Sequence, residues 1–296
     1  MKESHDIVDI GVNLAHRSFQ ADRKQIVERA FAVGVRTMVI TGTSVVGSQE
    51  GVRIAREYPG QLFVTAGVHP HDSRNCTEAT ISKLRRLATH REVVAIGECG
   101  LDFNRDFSPR PQQEKWYGAQ VALAEELQKP LFLHERDARQ RFCEILAAVR
   151  KIVPAVLHCF TGTREELKIY LDMGLHLGIT GWICDERRGT HLRELVREIP
   201  LDRLTRMFHT GRARRGLRAL PYSLSPFQSE CETCGLMIET DAPFLVPRTM
   251  PTKPKDGRNE PAFLPYVLQA VADCLGKPVP AVAEATTKTA REFFGL

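Results

Sequence analysis

The chain has 296 residues, 43% of them apolar and 26% charged, a balance that excludes disordered, collagen-like and coiled-coil classes and suits a single α/β barrel, which needs about 250 residues. No apolar run approaches the roughly 18 residues that a membrane span requires. Met1 to His5 are polar and lead directly into an apolar strand, leaving no place for a signal-peptide apolar region, so a cytoplasmic protein without membrane contact is expected. The net charge of +5 is unevenly held: five arginines against Glu230 and Glu232 put +3 of it in residues 205–235. Global charge is therefore a weak sign of a nucleic-acid partner, and an anionic substrate would have to be recognised locally.

Taken in chain order, Val/Ile/Leu-rich runs alternate with amphipathic stretches, the pattern of βα units around a buried parallel sheet. Strands are expected at 7–14, 36–43, 62–69, 93–101, 130–134, 155–160, 175–181 and 236–241. Between and after them, 22–33, 112–127, 138–149, 191–197, 261–275 and 279–294 place apolar residues at three- and four-residue spacing, which predicts helices. Eight such strands predict a (β/α)8 TIM barrel of the metal-dependent hydrolase type, one domain spanning 1–296. Residues 205–235 break the order, being Arg- and Ser-rich, aperiodic and longer than a barrel loop. They read as an insertion that loops out on the face opposite the active-site mouth. Within it Cys231 and Cys234 form a CxxC with no second pair to complete a zinc knuckle.

Four of the strand-like runs end in a potential metal ligand: Glu98, His134, His158 and Asp241. Groups at the C-terminal ends of different barrel strands converge on one mouth. A lone strand histidine is more often structural, but two imidazoles and two carboxylates at equivalent positions can hold a divalent ion with room left for water. Such mixed ligation accepts Mg, Mn or Zn. Asp241, ahead of Ala242-Pro243, suits both metal binding and the general-base role, against a plain turn aspartate. His69 and His71, in Gly67-Val-His-Pro-His71, read either as donors to a phosphate or as turn residues. Cys99 and Cys159 flank proposed ligands and are assigned no chemistry.

These residues fall in motifs that resemble the TatD family of metal-dependent deoxyribonucleases: Asp9-Ile-Gly-Val-Asn-Leu14, Ala66-Gly-Val-His-Pro-His71, Ile96-Gly-Glu-Cys-Gly-Leu-Asp102, Leu157-His-Cys-Phe-Thr-Gly162, Gly178-Ile-Thr-Gly-Trp182 and Glu239-Thr-Asp-Ala-Pro243. The likeness covers the chain outside 205–235. It implies a magnesium-dependent 3′-5′ exonuclease acting on single-stranded DNA, with RNA as a second polymer and no obligate protein partner. Carried over, the metal set is Glu98, His134, His158 and Asp241, with Asp241 catalytic and His69 contacting phosphate. His71, Asn13, Arg258 and Asn259 complete the expected substrate-binding set, the last two with packing as the alternative role. Many relatives carry two histidines where this chain has Gly11 and Asn13, which argues against a fully occupied two-metal centre. Thr289 replaces an expected asparagine, a change that bears on helix packing. Two other functions share the residues: ester, lactone or amide hydrolysis on the same barrel, for which a bridging lysine on the fifth strand is missing, and a non-catalytic nucleic-acid-binding protein impaired by the insertion.

Overall fold

The computed structural model describes residues 6–151, 153–201 and 235–296. Eight parallel strands, β1 (Ile7–Val12), β2 (Val35–Ile40), β3 (Leu62–Ala66), β4 (Val93–Asp102), β5 (Leu131–Arg136), β6 (Ala155–Leu157), β7 (Leu175–Ile179) and β8 (Leu236–Ile238), pair in sequence order. Around them lie α1 (Arg23–Ala32), α2 (Val45–Ala55), α3 (Glu78–Leu87), α4 (Arg110–Leu127), α5 (Arg139–Val149), α6 (Arg164–Asp172), α7 (Thr190–Leu195), α8 (Leu264–Leu275) and α9 (Val279–Phe294). The architecture is the expected α/β barrel. Because crossover helices cover the outside and side chains fill the inside, the strands are buried on both faces, and every residue of β1 and β4 is buried.

Most strands stop two or three residues short of their expected ends. The clearest case is the last, where β8 ends at Ile238 and Glu239-Thr-Asp241 continues as loop. The reverse holds for β4 and β5, which run on to Asp102 and Arg136, so Glu98 and His134 lie inside strands rather than at their ends. The extra segment expected at 205–235 lies, except for Gly235, outside the described residues. Among the described helices, none is long and apolar enough to cross a membrane.

Val8, Ile10, Val39, Phe132, Val156 and Met237 fill the barrel interior together with Phe293 and Phe294 of α9. That helix closes the floor, where Phe293 meets His176 edge-on with ring centroids 4.9 Å apart. Thr289 is buried there, and a Cβ on Gly235 would come within 2.7 Å of its Cγ2. The departure at Thr289 is thus a packing matter at the end remote from the mouth. At the mouth, two buried glutamines of α4 hold the backbone. Gln120 accepts from Val68 N at 2.7 Å and donates to Val68 O at 3.1 Å, while Gln113 accepts from Asp102 N at 2.8 Å and donates to Ser108 O at 2.8 Å. Gln120→Ala orphans both backbone groups of Val68 beside His69. Each unsatisfied buried group costs about 1–3 kcal/mol, so a drop of about 2 kcal/mol or more in unfolding free energy is expected by denaturant titration. A surface-like loss below about 0.5 kcal/mol would show that the clamp is not needed.

Candidate metal centre

Glu98 owes its position to the backbone around it. The β4–β5 register slips between Gly97 and Cys99, so Glu98 is the bulged residue, a device that re-aims a side chain. Gly97 and Gly100 take φ of +140° and +151°, and a Cβ on them would sit 2.1 Å from Phe132 O and 1.7 Å from His134 O. Only glycine allows that approach.

The carboxylate that results is buried, and three imidazoles converge on its Oε1: His69 Nε2 at 3.3 Å, His134 Nδ1 at 3.0 Å and His158 Nε2 at 3.0 Å. Burial alone would raise the Glu98 pKa; the charges of His158 and His69 and the hydrogen bonds from His134 and His158 outweigh it and hold the group well below the usual range. Burial lowers His69 to about 4. For His134 and His158 burial acts the same way but is overcome, at His134 by Asp102 and Glu98 and at His158 by Glu98 and Glu239, so both are raised. Donor atoms of His69, Glu98 and His134 lie within 4.8 Å of one another, the scale of a single ion's coordination sphere. Among the described residues His134 Nε2 is buried without a hydrogen-bond partner, 3.5 Å from Asp102 Oδ2. Convergent imidazole and carboxylate donors with an unsatisfied nitrogen among them fit a divalent metal.

Asp241 stands at the same mouth on a left-handed backbone, φ +52°, a conformation that Asp tolerates better than most residues. Its N–H donates to Gly11 O at 2.8 Å and Asn13 Nδ2 donates to its Oδ1 at 2.9 Å. Burial pushes its carboxyl up to about 7; His158 opposes this, while Glu98 and Glu239 add to it. The structure brings Glu98, His134 and His158 together and places His69 beside them, its Nε2 3.3 Å from Glu98 Oε1. Asn13 is a partner of Asp241. His71 turns to Asp102, with Nε2 2.6 Å from Oδ2, and its ring meets Phe107 edge-on.

Arg258 and Asn259 both make contacts within the fold. Arg258 pairs with Asp22 through Nη1 at 2.9 Å and Nη2 at 2.6 Å. Asn259 is buried, and its amide donates to Thr240 O at 3.0 Å and Phe244 O at 2.6 Å, bracing the loop after β8. Burial pushes the Cys159 thiol up to about 12 and Cys99 higher still, which leaves both unreactive.

Two carboxylates went unassigned at the sequence level. Asp102 accepts from His71 and from the N–H groups of Asn104 and Arg105 at 3.0 and 2.9 Å; burial would raise it, but His134, His71 and Arg105 together hold it low. Glu239 is fully buried, accepts from His158 Nδ1 at 3.3 Å and from Cys159 N at 2.5 Å, and fills the space that side chains at Gly11 and Gly178 would occupy. Carboxylates behind ligating histidines fix ring orientation. The available signal was an acid in each of two quoted motifs without a job.

Asp9 is a further buried acid. It accepts from Gly11 N at 3.2 Å, Thr240 N at 3.0 Å and Thr240 Oγ1 at 2.5 Å, yet burial pushes its pKa up to about 8. The folded chain therefore keeps a proton that the unfolded chain releases near pH ~3.9, and stability is lost as pH rises from that value through the folded pKa. In EDTA, Asp9→Asn should match the parent melting temperature near pH 4 and exceed it by a growing margin up to pH 8. A margin independent of pH would mean that Asp9 does not titrate in this range.

A parallel eight-stranded barrel whose mouth gathers imidazoles and carboxylates around a metal-sized space defines a metal-binding hydrolase of the amidohydrolase-like class. The family model described as TatD related DNase matches residues 8–206 and 229–295, and its break falls inside the segment read as an insertion. The chain is 46% identical over 289 residues to the 3′-5′ ssDNA/RNA exonuclease TatD of Rahnella sp. (strain Y9602), covering 97% of this chain and 98% of the relative. It is 44% identical over 287 residues to the protein of that name from Salmonella typhimurium (strain LT2), with 97% and 98% covered. A TatD family hydrolase from Entamoeba histolytica has the same fold, with a TM-score of 0.78 at 21% identity over 98% of each chain. This chain belongs to the TatD family.

Proposed function

We propose that the chain is a metal-dependent phosphodiesterase that removes nucleotides from the 3′ end of single-stranded DNA, with RNA as a second substrate. The observation that carries the reading is the convergence of His69, His134 and His158 on Glu98, with Asp241 at the same mouth. The printed activity of relatives sharing 46% and 44% identity supports the choice of polymer.

Glu98, His134 and His158, with His69 alongside, would hold the ion, magnesium by family resemblance and Mn or Zn by ligand type. A bound divalent ion supplies charge neutralisation at the phosphoryl oxygen and makes the attacking water more acidic. Asp241 would take the proton from the attacking water, the general-base role that a carboxylate at this mouth can fill. Asn13 keeps the accepting carboxylate oriented through its 2.9 Å hydrogen bond. Glu239 holds the ring of His158 through Nδ1, and the Asp102 carboxylate lies 3.5 Å from His134 Nε2.

The test is degradation of end-labelled single-stranded DNA by EDTA-treated protein before and after magnesium is restored. A 5′-labelled strand should shorten stepwise while a 3′ label leaves at once as mononucleotide, both only with metal. Faster turnover of a simple aryl ester than of any diester would instead favour carbonyl chemistry on this barrel.

A further inference from the structure

On the barrel face that holds the His/Glu cluster lies a second feature, a hollow between the loops that follow β7 and β8. Gly181, Trp182 and Asp185 come from the first loop, Leu245 and Arg248 from the second, and Lys253 from its continuation. Both loops leave the C-terminal ends of their strands, the second only a few residues past Asp241, so the hollow shares the metal cluster's face. In barrels of this kind the loops after strands seven and eight are a recurrent place for phosphate.

The charge is one-sided. Four cations, Arg187, Arg188, Arg248 and Lys253, line the hollow with a single carboxylate, Asp185. Asp185 is buried and serves as an anchor: its Oδ1 lies 3.4 Å from Arg187 Nε and its Oδ2 2.9 Å from Arg248 Nε. Two guanidinium groups are thereby held at one spot with outward N–H groups to spare. Arg188 and Lys253 are exposed and have no ion-pair partner among the described residues. The wall is preformed, since a Cβ on Gly181 would come within 2.3 Å of Leu245 O, so the loops pack backbone to backbone. Trp182, half-buried, adds an aromatic surface. The contrast is the hollow near α5, where Arg139 and Arg141 are met by Glu166 at 3.7 Å and Glu114 at 2.8 Å.

We propose that the hollow between the β7 and β8 loops is a second anion site, which grips backbone phosphates of a single-stranded polynucleotide away from the bond being cleaved. This rests on the nuclease reading above. It adds a reason for a preference for polymer over small diester: cations that follow a backbone, with an aromatic face for a base, are how single strands are held without regard to sequence. The two least encumbered cations, Arg188 and Lys253, carry the phosphate contacts.

The test compares the full chain with Arg188→Ala/Lys253→Ala, neither residue belonging to the metal cluster. Binding of a fluorescent single-stranded oligonucleotide is measured by anisotropy in EDTA across a salt series. Turnover of that oligonucleotide and of bis(p-nitrophenyl) phosphate is then measured with magnesium. Each phosphate contact on a single strand contributes about 0.7 to the slope of log affinity on log salt, so the double variant should lose about 1.4 of that slope. Its KM for the oligonucleotide should rise roughly tenfold or more, as loss of paired phosphate contacts at low salt requires, with kcat and small-diester turnover unchanged. Unchanged binding and slope would overturn the site whether or not the chain cleaves DNA. Displacement of the oligonucleotide by millimolar inorganic phosphate, at constant ionic strength, as completely as by unlabelled strand would overturn it too, by assigning the hollow to a lone phosphate. A slope that depends on Arg188 and Lys253 in a chain that degrades no nucleic acid would uphold the site and defeat the nuclease reading.

Discussion

Asp241→Asn should fold as the parent chain does and lose roughly a hundred- to ten-thousand-fold in phosphodiester turnover, the usual worth of a general base. The amide keeps what the fold requires of this position. Its Oδ1 still accepts from Asn13 Nδ2, its backbone N–H still reaches Gly11 O, and Asn tolerates the left-handed φ of +52° as readily as Asp does. What it lacks is a place for the proton. The measurement is kcat on end-labelled single-stranded DNA beside the melting temperature. Turnover within a few fold of the parent would take Asp241 out of the mechanism, whereas a fallen melting temperature would mark it as structural.

Replacing both His134 and His158 with Ala should strip the metal as well as the rate. The two rings approach Glu98 Oε1 at 3.0 Å each, and without them Glu98 and His69 remain as a two-donor fragment. Losing even an outer partner of a ligand costs about 10–100-fold in metal affinity, so losing two donors should exceed that range. Metal content of the folded double variant after equilibration with magnesium or manganese decides the matter. Unchanged stoichiometry would locate the ion elsewhere.

The barrel was legible because buried parallel strands are written as runs of Val, Ile and Leu, and all eight were found in order. Their ends were less legible. Polar groups that serve the mouth follow the apolar runs directly, so Glu239-Thr-Asp241 reads as more strand when it is loop, and nothing in Ala-Ile-Gly-Glu-Cys-Gly announces that Glu98 occupies a bulge. Glu98, His134, His158 and Asp241 could be picked out because each is a polar residue in apolar surroundings. His69 could be found but not placed, since ring orientation depends on the turn in which its Nδ1 accepts from His71 N at 3.1 Å. Arg258 and Asn259 had two readings in the sequence, substrate contact or packing, and their contacts with Asp22 and with the β8 loop could be seen only in three dimensions.

The closure between the first and last strands would couple the proposed catalysis to local unfolding. Because β8 stops at Ile238, the circuit is completed by Asp241 N to Gly11 O and Asn13 N to Ala242 O, both at 2.8 Å, and by Asp9 reaching across to Thr240. The backbone that seats the proposed base is therefore also the latch of the cylinder. Regions tied by few hydrogen bonds open at lower free energy than the rest of a fold. Such an opening would withdraw Asp241 from the site while β2 to β7 remain paired, so the enzyme would fall silent in mild denaturant while its circular dichroism is still that of an intact barrel.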